Sequence, residues 1–432
     1  MGSLYAAARL RPVSNACRDR RPFGPGVPQF NLAVTAATPS RNARTLLLLC
    51  AGRGPARVEA LVLRRSILLI TLFCSLTLPR LAAAQVTPAA GYTPPDDSQS
   101  IGLGAVVFYD YTFTNAPKAT DSGGNVIHAN AFNVARTYVN VTGKVSSVVS
   151  YRITTDISRL TGGNTSLDGS LAVRLKYGYA QFTLDRWTGN WKNTFVRIGI
   201  QQTPFIDAEE GVYRYRFQGT VFAERDGGMS SADAGVSFHS NLPNNYGDFH
   251  VGLYNGEGYG KAEANNQKAV AIRGTVRPMA QGGSFGRGLR VTGYYYGDHA
   301  VQDADRNRAM GSVWLEQKRY NLGFDYISRS DEASATAAKV KSDGYSFFVT
   351  PFFKEKGNGL EALLRYDSFR PNMANKEARQ NRTIAGLAYW FPHPGGNATA
   401  ALLLDFEQVK FSKFTTPQPT QQRITLHGLI SF

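Results

Sequence analysis

The side chains in this sequence with chemical potential are mainly cations placed at intervals of two along apolar runs. Arg136, Arg152, Arg174, Lys176, Arg197, Arg273, Arg290, Arg365 and Arg423 alternate with aliphatic or aromatic neighbours. Asp156, Asp325, Glu361, Asp367, Asp405 and Glu407 obey the same spacing, so the set is more basic than acidic. A second concentration of charge follows Thr203-Pro204-Phe205: Asp207, Glu209, Glu210, Arg214, Arg216, Glu224, Arg225 and Asp226. Fixed charges of this kind, lining a wet surface, attract and select solutes without making or breaking bonds; a lining of Arg and Lys attracts anions. Bond-making chemistry has no comparable signature. G-x-S-x-G, Walker A and H-E-x-x-H motifs are absent, and the six His are dispersed. Gly256 to Gly260 has no helical pattern after it and reads as a flexible connection, not a nucleotide loop. No enzyme, cofactor or metal site is expected.

The elements that must position these charges are strands. Ala131 to Val141 sets Ala135, Val139 and Val141 on one side and Arg136, Tyr138 and Asn140 on the other. Val149 to Ile157, Val270 to Val276 and Leu360 to Tyr366 alternate likewise, the last with Leu360, Ala362, Leu364 and Tyr366 against Glu361 and Arg365. Continued to Phe432, the rhythm gives about 16 strands of roughly 8 to 14 residues, close to what a tilted strand needs to cross a bilayer. No helical pattern competes with it.

Many alternating strands could build a soluble sandwich or propeller, with apolar faces inward, or a transmembrane barrel, with apolar faces to lipid and polar faces to a lumen. Three observations favour the barrel. Connections alternate between short, as at Gly143 to Ser147, and long, as at Asn115 to Asn130 and Ser330 to Ser342. Phe108, Tyr109, Tyr111, Phe113, Phe347, Phe348, Phe352, Phe353, Tyr389, Trp390 and Phe391 fall near strand ends, where interfacial girdles belong. The chain stops on a strand ending in Phe432, like the assembly signal of bacterial outer-membrane proteins. Parity matters, because Arg on the lipid face costs about 2 to 4 kcal/mol at the midplane.

Length and composition agree. The 432 residues are 43% hydrophobic, 12% aromatic and 19% charged, with no run long enough for a membrane-spanning helix. A net charge of +16 suggests a nucleic-acid binder until it is located. Residues 1–84 hold 12 Arg, no Lys and only Asp19 and Glu59; the remaining residues carry 36 basic and 30 acidic side chains. Arg64 and Arg65, the apolar run Ser66 to Leu78 and then Ala82, Ala83 and Ala84 have the make-up of a cleavable secretory signal peptide over 62–84, cut between Ala84 and Gln85. Residues 1–61 are Arg-, Ala-, Gly- and Pro-rich, and are expected to be a misplaced start or a disordered extension; 85–100 reads as a flexible segment before a barrel over 101–432. Cys17, Cys50 and Cys74 all precede the cut, so the mature chain has neither disulfides nor a Cys-based metal site.

Phe132 to Asp156 (FNVARTYVNVTGKVSSVVSYRITTD), Arg197 to Phe205 (RIGIQQTPF), Glu224-Arg225 and Gly252 to Gly256 (GLYNG) resemble the phosphate-selective porin O and P family. The resemblance runs over most of residues 100–432. It implies a 16-stranded trimeric outer-membrane barrel with a constriction loop folded into the pore, assembled by the barrel-assembly machinery among outer-membrane lipids. The family's Lys-rich cluster is not matched: the 14 Lys after residue 84 are scattered, leaving Arg214, Arg216 and Arg225 as the nearest basic constriction. The expected activity is passive diffusion of small hydrophilic solutes, favouring anions such as phosphate, with no nucleic-acid partner. A pore for sugars, using Tyr138 with Tyr294 and Tyr296, and a plugged structural or adhesin barrel are the alternatives, with an outer-membrane hydrolase third. For the charged stretch after Pro204, an outward solvated loop is the alternative to an inward one.

Overall fold

Period-two alternation gives one sheet an apolar and a polar face, and here the sheet curls until its last strand meets its first. The computed structural model describes residues 100–161, 166–392 and 398–432. Among them the strands of the main sheet are β1 Ile101–Ala116, β2 Asn130–Lys144, β3 Val149–Arg159, β4 Leu171–Thr183, β5 Lys192–Gln202, β6 Ala232–Asn241, β7 Gly247–Tyr254 and β8 Ala269–Val276. The second half is β9 Leu289–Val301, β10 Ala304–Glu316, β11 Tyr320–Asp331, β12 Val340–Pro351, β13 Gly359–Arg370, β14 Arg379–Trp390, β15 Thr399–Ser412 and β16 Gln421–Ser431. Each pairs antiparallel with its sequence neighbours, and β16 closes on β1 through pairs such as Phe108 with Leu429 and Phe113 with Ile424. Ala105 and Phe432 exchange two backbone hydrogen bonds, of 2.9 and 3.0 Å, at the foot of that seam. The result is an all-β, 16-stranded antiparallel barrel. Closure leaves no edge strand unpaired, which is how a sheet can exist in a medium without water.

The barrel is apolar outside and polar within. On β13, Leu360 and Leu364 are 42% and 49% exposed, while Glu361 and Arg365, the residue after each, are 0% and 3%. A soluble sandwich demands the reverse. The same outward belt continues through Leu402, Leu404, Ile424, Leu426 and Ile430.

Three expectations change. Of the aromatic side chains assigned to the girdles, Phe108, Phe348, Phe352 and Trp390 are buried; they pack inside the barrel, because a segment there needs an apolar wall. Short and long connections do not alternate throughout: β9 and β10 join tightly at 302–303, and the β8–β9 connection is long and includes the short helix Ser284–Arg287. A helix does occur, Pro204–Tyr213, in the charged stretch after β5. The first connection carries a small ribbon, Ala119–Thr120 with Val126–Ile127.

The chain divides into Met1–Gly91 and Tyr92–Phe432, and the barrel belongs to the second unit. The expected extension 1–61, the expected signal peptide 62–84, the three Cys and residues 85–99 lie outside the described residues.

Candidate functional site

The interior is built by one connection. Pro204 follows β5 and opens helix α1 (Pro204–Tyr213), where its missing N–H costs nothing and its fixed φ suits the first turn. The neck is closed by Thr203, whose Oγ1 donates to the Ser230 carbonyl at 2.5 Å and whose N–H donates to Ser231 at 3.2 Å. Helix α1 stops at Arg214, in the left-handed region at φ 63°, with its N–H bonded to the Glu210 carbonyl at 3.1 Å. A second short helix, α2 (Phe222–Arg225), precedes the return to β6.

Apolar packing decides where this loop goes. Phe205, Ile206, Val212, Val221 and Phe222 are fully buried, and so are Ile327, Leu363 and Leu403 on the inner wall, with Phe348 and Ile384 at 1%. At roughly 1.5 to 3 kcal/mol for each buried large side chain, five of them outweigh the solvation an outward loop would keep. Polar ties fix the register. Tyr215 Oη donates to Glu361 at 2.6 Å, and Gln218 Nε2 donates to Asp405 at 2.9 Å and to Glu407 at 3.1 Å. Wall side chains reach back: Asn321 to the Val212 carbonyl at 2.8 Å, Arg365 to Thr220 at 3.0 Å and Arg308 to Gly227 at 2.9 Å. The loop therefore lies inside the barrel, against β10 to β16.

The eight charges read from this loop divide between its two sides. Glu209, Arg214, Arg225 and Asp226 turn to the wall. Glu209 is 2% exposed, and its carboxyl is held well above the usual range by burial and then by the charge of Asp325. Arg214 pairs with Glu361 at 3.3 Å and stacks on Trp390 at 4.6 Å. Arg225 reaches Glu407 at 3.9 Å; burial and neighbouring Arg365 lower its guanidinium to about 10. Asp226 accepts from Gln380 at 2.9 Å. Asp207, Glu210, Arg216 and Glu224 face the open side. Asp207 is exposed on α1, and Arg216 bridges Glu210 at 2.8 Å and Glu224 at 3.4 Å. Glu210 lies within electrostatic reach of Lys176 on the opposite wall, and Arg216 within that of Tyr138. Arg214, Arg216 and Arg225 thus form no basic cluster; two of the three are tied to wall carboxylates.

The nine wall cations also divide. Arg136 and Arg174 share Asp156, at 3.3 and 3.2 Å. Arg273 pairs with Asp248 and Arg290 with Glu316. Arg365 pairs with Asp367 at 2.8 Å and Arg423 with Glu407 at 2.6 Å. Arg152, Lys176 and Arg197 have no carboxylate within 4.0 Å among the described residues. Arg152 bonds Thr154 and Asn140, Lys176 bonds the Tyr138 hydroxyl at 3.2 Å, and Arg197 bonds Gln181 and Gln202. All three sit on β3, β4 and β5. Opposite them the loop presents Asp207 and Glu210, both within electrostatic reach of Tyr177. The gap between is basic on one side and chiefly acidic on the other.

Tyr138 packs edge-on against Phe108 with centroids 5.9 Å apart, whereas Tyr294 packs against Phe205 at 5.3 Å beneath α1. Of the three tyrosines expected to stack a sugar, Tyr138 and Tyr294 are therefore packed against different rings. Gly256 is pinned as well, donating its N–H to Asp233 at 2.8 Å and accepting from Arg306 at 2.7 Å, so that connection is held in place. Arg306, Arg308, Arg329 and Arg382 are further inward cations that the alternation of β10, β11 and β14 could have revealed; each has a carboxylate partner.

Solved structures share this architecture. The chain is similar to an anion-selective porin from Comamonas acidovorans, with a TM-score of 0.51 and 11% identity over 77% of this chain and 100% of that one. It is similar to the outer membrane channel DcaP of Acinetobacter baumannii, with a TM-score of 0.51 and 11% identity over 78% and 98%. Salmonella typhi OmpF gives the same values. This is a porin fold. Identities this low speak for the fold alone. No protein-family model matches the sequence, and no curated protein does.

Proposed function

We propose that this protein is a bacterial outer-membrane porin, a passive diffusion channel for small hydrophilic solutes that favours anions. The observation that carries the anion preference is the segregation of Arg152, Lys176 and Arg197, without carboxylate partners, on the wall facing the loop. No carboxylate touches them on their own wall, and Glu210 faces Lys176 only across the gap, so their field draws anions along this wall. The paired cations on β8 to β16 contribute wetting and structure instead. The inward loop sets the size limit through Asp207, Glu210, Arg216 and Glu224.

The rest of the biology follows from this assignment. The leader 62–84 directs export, residues 1–61 are not part of the mature protein, the apolar belt meets outer-membrane lipid, and Phe432 serves the barrel-assembly machinery. The barrel works as a homotrimer, as the porin O and P resemblance implies, and inorganic phosphate is among the anions to be assayed for the same reason.

Planar-bilayer recording of the purified, detergent-extracted protein tests the proposal. Stepwise openings with a reversal potential toward chloride are expected. Openings without charge preference, blocked by sugars, would replace it with a neutral-solute pore. A second reading, a barrel plugged by its own loop, draws on the burial of residues 205–206 and of most of residues 212–223. Electrical silence from a folded barrel would favour it.

A further inference from the structure

Arg152, Lys176 and Arg197 share a second property: each lies against an aromatic ring of the same wall. Arg152 Cζ is 4.7 Å from the Tyr177 centroid. Arg197 Cζ is 4.9 Å from Tyr179 and 4.2 Å from Phe195. Lys176 Nζ is 4.5 Å from Tyr138 and 5.3 Å from Tyr177. Strict alternation would not allow Lys176 and Tyr177 to be inward together. A bulge in β4 makes this possible: Thr154 opposes Tyr177 and Thr155 opposes Leu175, so Lys176 is the extra residue.

The strand register sets the order. Asp156 opposes Arg174, Thr154 opposes Tyr177, Arg152 opposes Tyr179, and Gln181 opposes Arg197. Arg152 and then Arg197 therefore stand below Lys176, toward the end that carries Phe432; Lys176 is 3% exposed and adds its charge to the file from behind the surface. Arg152 and Arg197 each commit two of five guanidinium donors, to Thr154 and Asn140 and to Gln181 and Gln202. The remaining donors of both, and for Arg152 the face turned away from Tyr177, are left for a solute, whereas Arg197 lies against two rings. Next to Arg152 a cavity of about 450 Å³ opens at the foot of the barrel, with Lys144, Tyr179, Gln181 and Thr142 in its lining and no carboxylate.

Resting on the porin assignment above, we propose that this wall favours planar organic carboxylates, anions whose carboxylate is conjugated to a flat apolar body. A guanidinium binds a carboxylate through its fork and stacks a flat ring on its face, and a ring-backed cation has already given up part of its water. A tetrahedral, strongly hydrated anion such as phosphate calls for cations converging from several directions. These stand in a line.

The test uses bi-ionic reversal potentials of the full barrel in planar bilayers, with chloride, acetate, phosphate and benzoate as probes. Benzoate, although larger, is expected to permeate at least as readily as acetate, and ahead of phosphate. Tyr179→Leu and Arg197→Lys, the latter keeping the charge but losing the flat face, should each lower the benzoate-to-acetate ratio about threefold, the scale of one exposed cation–π contact. Judged on conducting channels, these ratios do not depend on how much of each variant folds. An anion-preferring channel in which benzoate trails acetate by size, or in which both variants keep the wild-type ratio, overturns the carboxylate proposal and leaves the porin assignment intact. A folded barrel with no conductance, or with cation preference, overturns the assignment itself and this proposal with it.

Discussion

Tyr215 and Glu361 lie 146 positions apart in the chain, and a 2.6 Å hydrogen bond from the Tyr215 hydroxyl to Glu361 Oε2 fastens the interior loop to strand β13. The carboxylate is fully buried and also holds Arg214 at 3.3 Å and the Gly357 N–H at 2.5 Å. Glu361→Ala would leave the Arg214 guanidinium in the interior without its counter-charge. Breaking such a pair costs about 3 to 5 kcal/mol. The loop should detach more often, raising mean conductance and current noise, while Tyr215→Phe, which removes one bond, should do so more weakly. Equal, quiet conductance in wild type and Glu361→Ala would show that the loop is held elsewhere.

Phe222 depends on a residue with no side chain. A Cβ placed on Gly344 would come within 3.0 Å of Phe222 Cζ and 2.6 Å of the Ser368 carbonyl. Gly344→Val should therefore lever α2 off the wall at a cost of about 1 to 3 kcal/mol, the range for overpacking a filled core. Hydrogen exchange at residues 221–227 reads this directly. Protection unchanged from wild type would mean that the loop docks without Phe222.

Sequence alternation carried most of the barrel and all of its inside-out sense, because a period of two fixes which side chains share a face whatever the sheet does afterwards. It could not say which inward positions would stay wet. Glu361, Leu363 and Arg365 are all inward on β13, yet Leu363 is fully buried beneath the loop. From the sequence, Leu363 is only a break in the polar register, meaningful once Phe222, Val212 and Tyr213 are known to need a partner. The loop's charges were visible, but not their sides: Glu209 and Glu210 are adjacent in sequence and turn opposite ways because α1 has a wall on one flank and water on the other. Tyr177 was hidden by a bulge, where parity slips by one residue.

Lipid exposure of β13 makes a sharp demand on its outer face. Leu364 is 49% exposed on the barrel exterior, beside fully inward Leu363. Leu364→Arg would put a guanidinium into hydrocarbon and should lower folding stability in bilayers by about 2 to 4 kcal/mol, the midplane cost for barrels. Urea titration in lipid vesicles measures it. A change of less than about 0.5 kcal/mol, the range for neutral surface substitutions, would place this face in water.

Glu209 makes loop docking sensitive to pH, and the sign follows from its surroundings. Burial first, and then the charge of Asp325, hold its carboxyl well above the usual carboxylate range. A docked Glu209 therefore keeps a proton that a detached loop releases above about pH 4.3. By linkage, docking is strongest below that value and weakens as pH rises from it toward the raised docked value. Glu209→Gln cannot ionise and keeps nearly the same shape. Its channels should be quieter than wild type at pH 8 and indistinguishable from it near pH 4, where both carry a neutral group. Single-channel noise recorded at the two pH values checks this. If wild type and Glu209→Gln respond identically to pH, another group controls the loop.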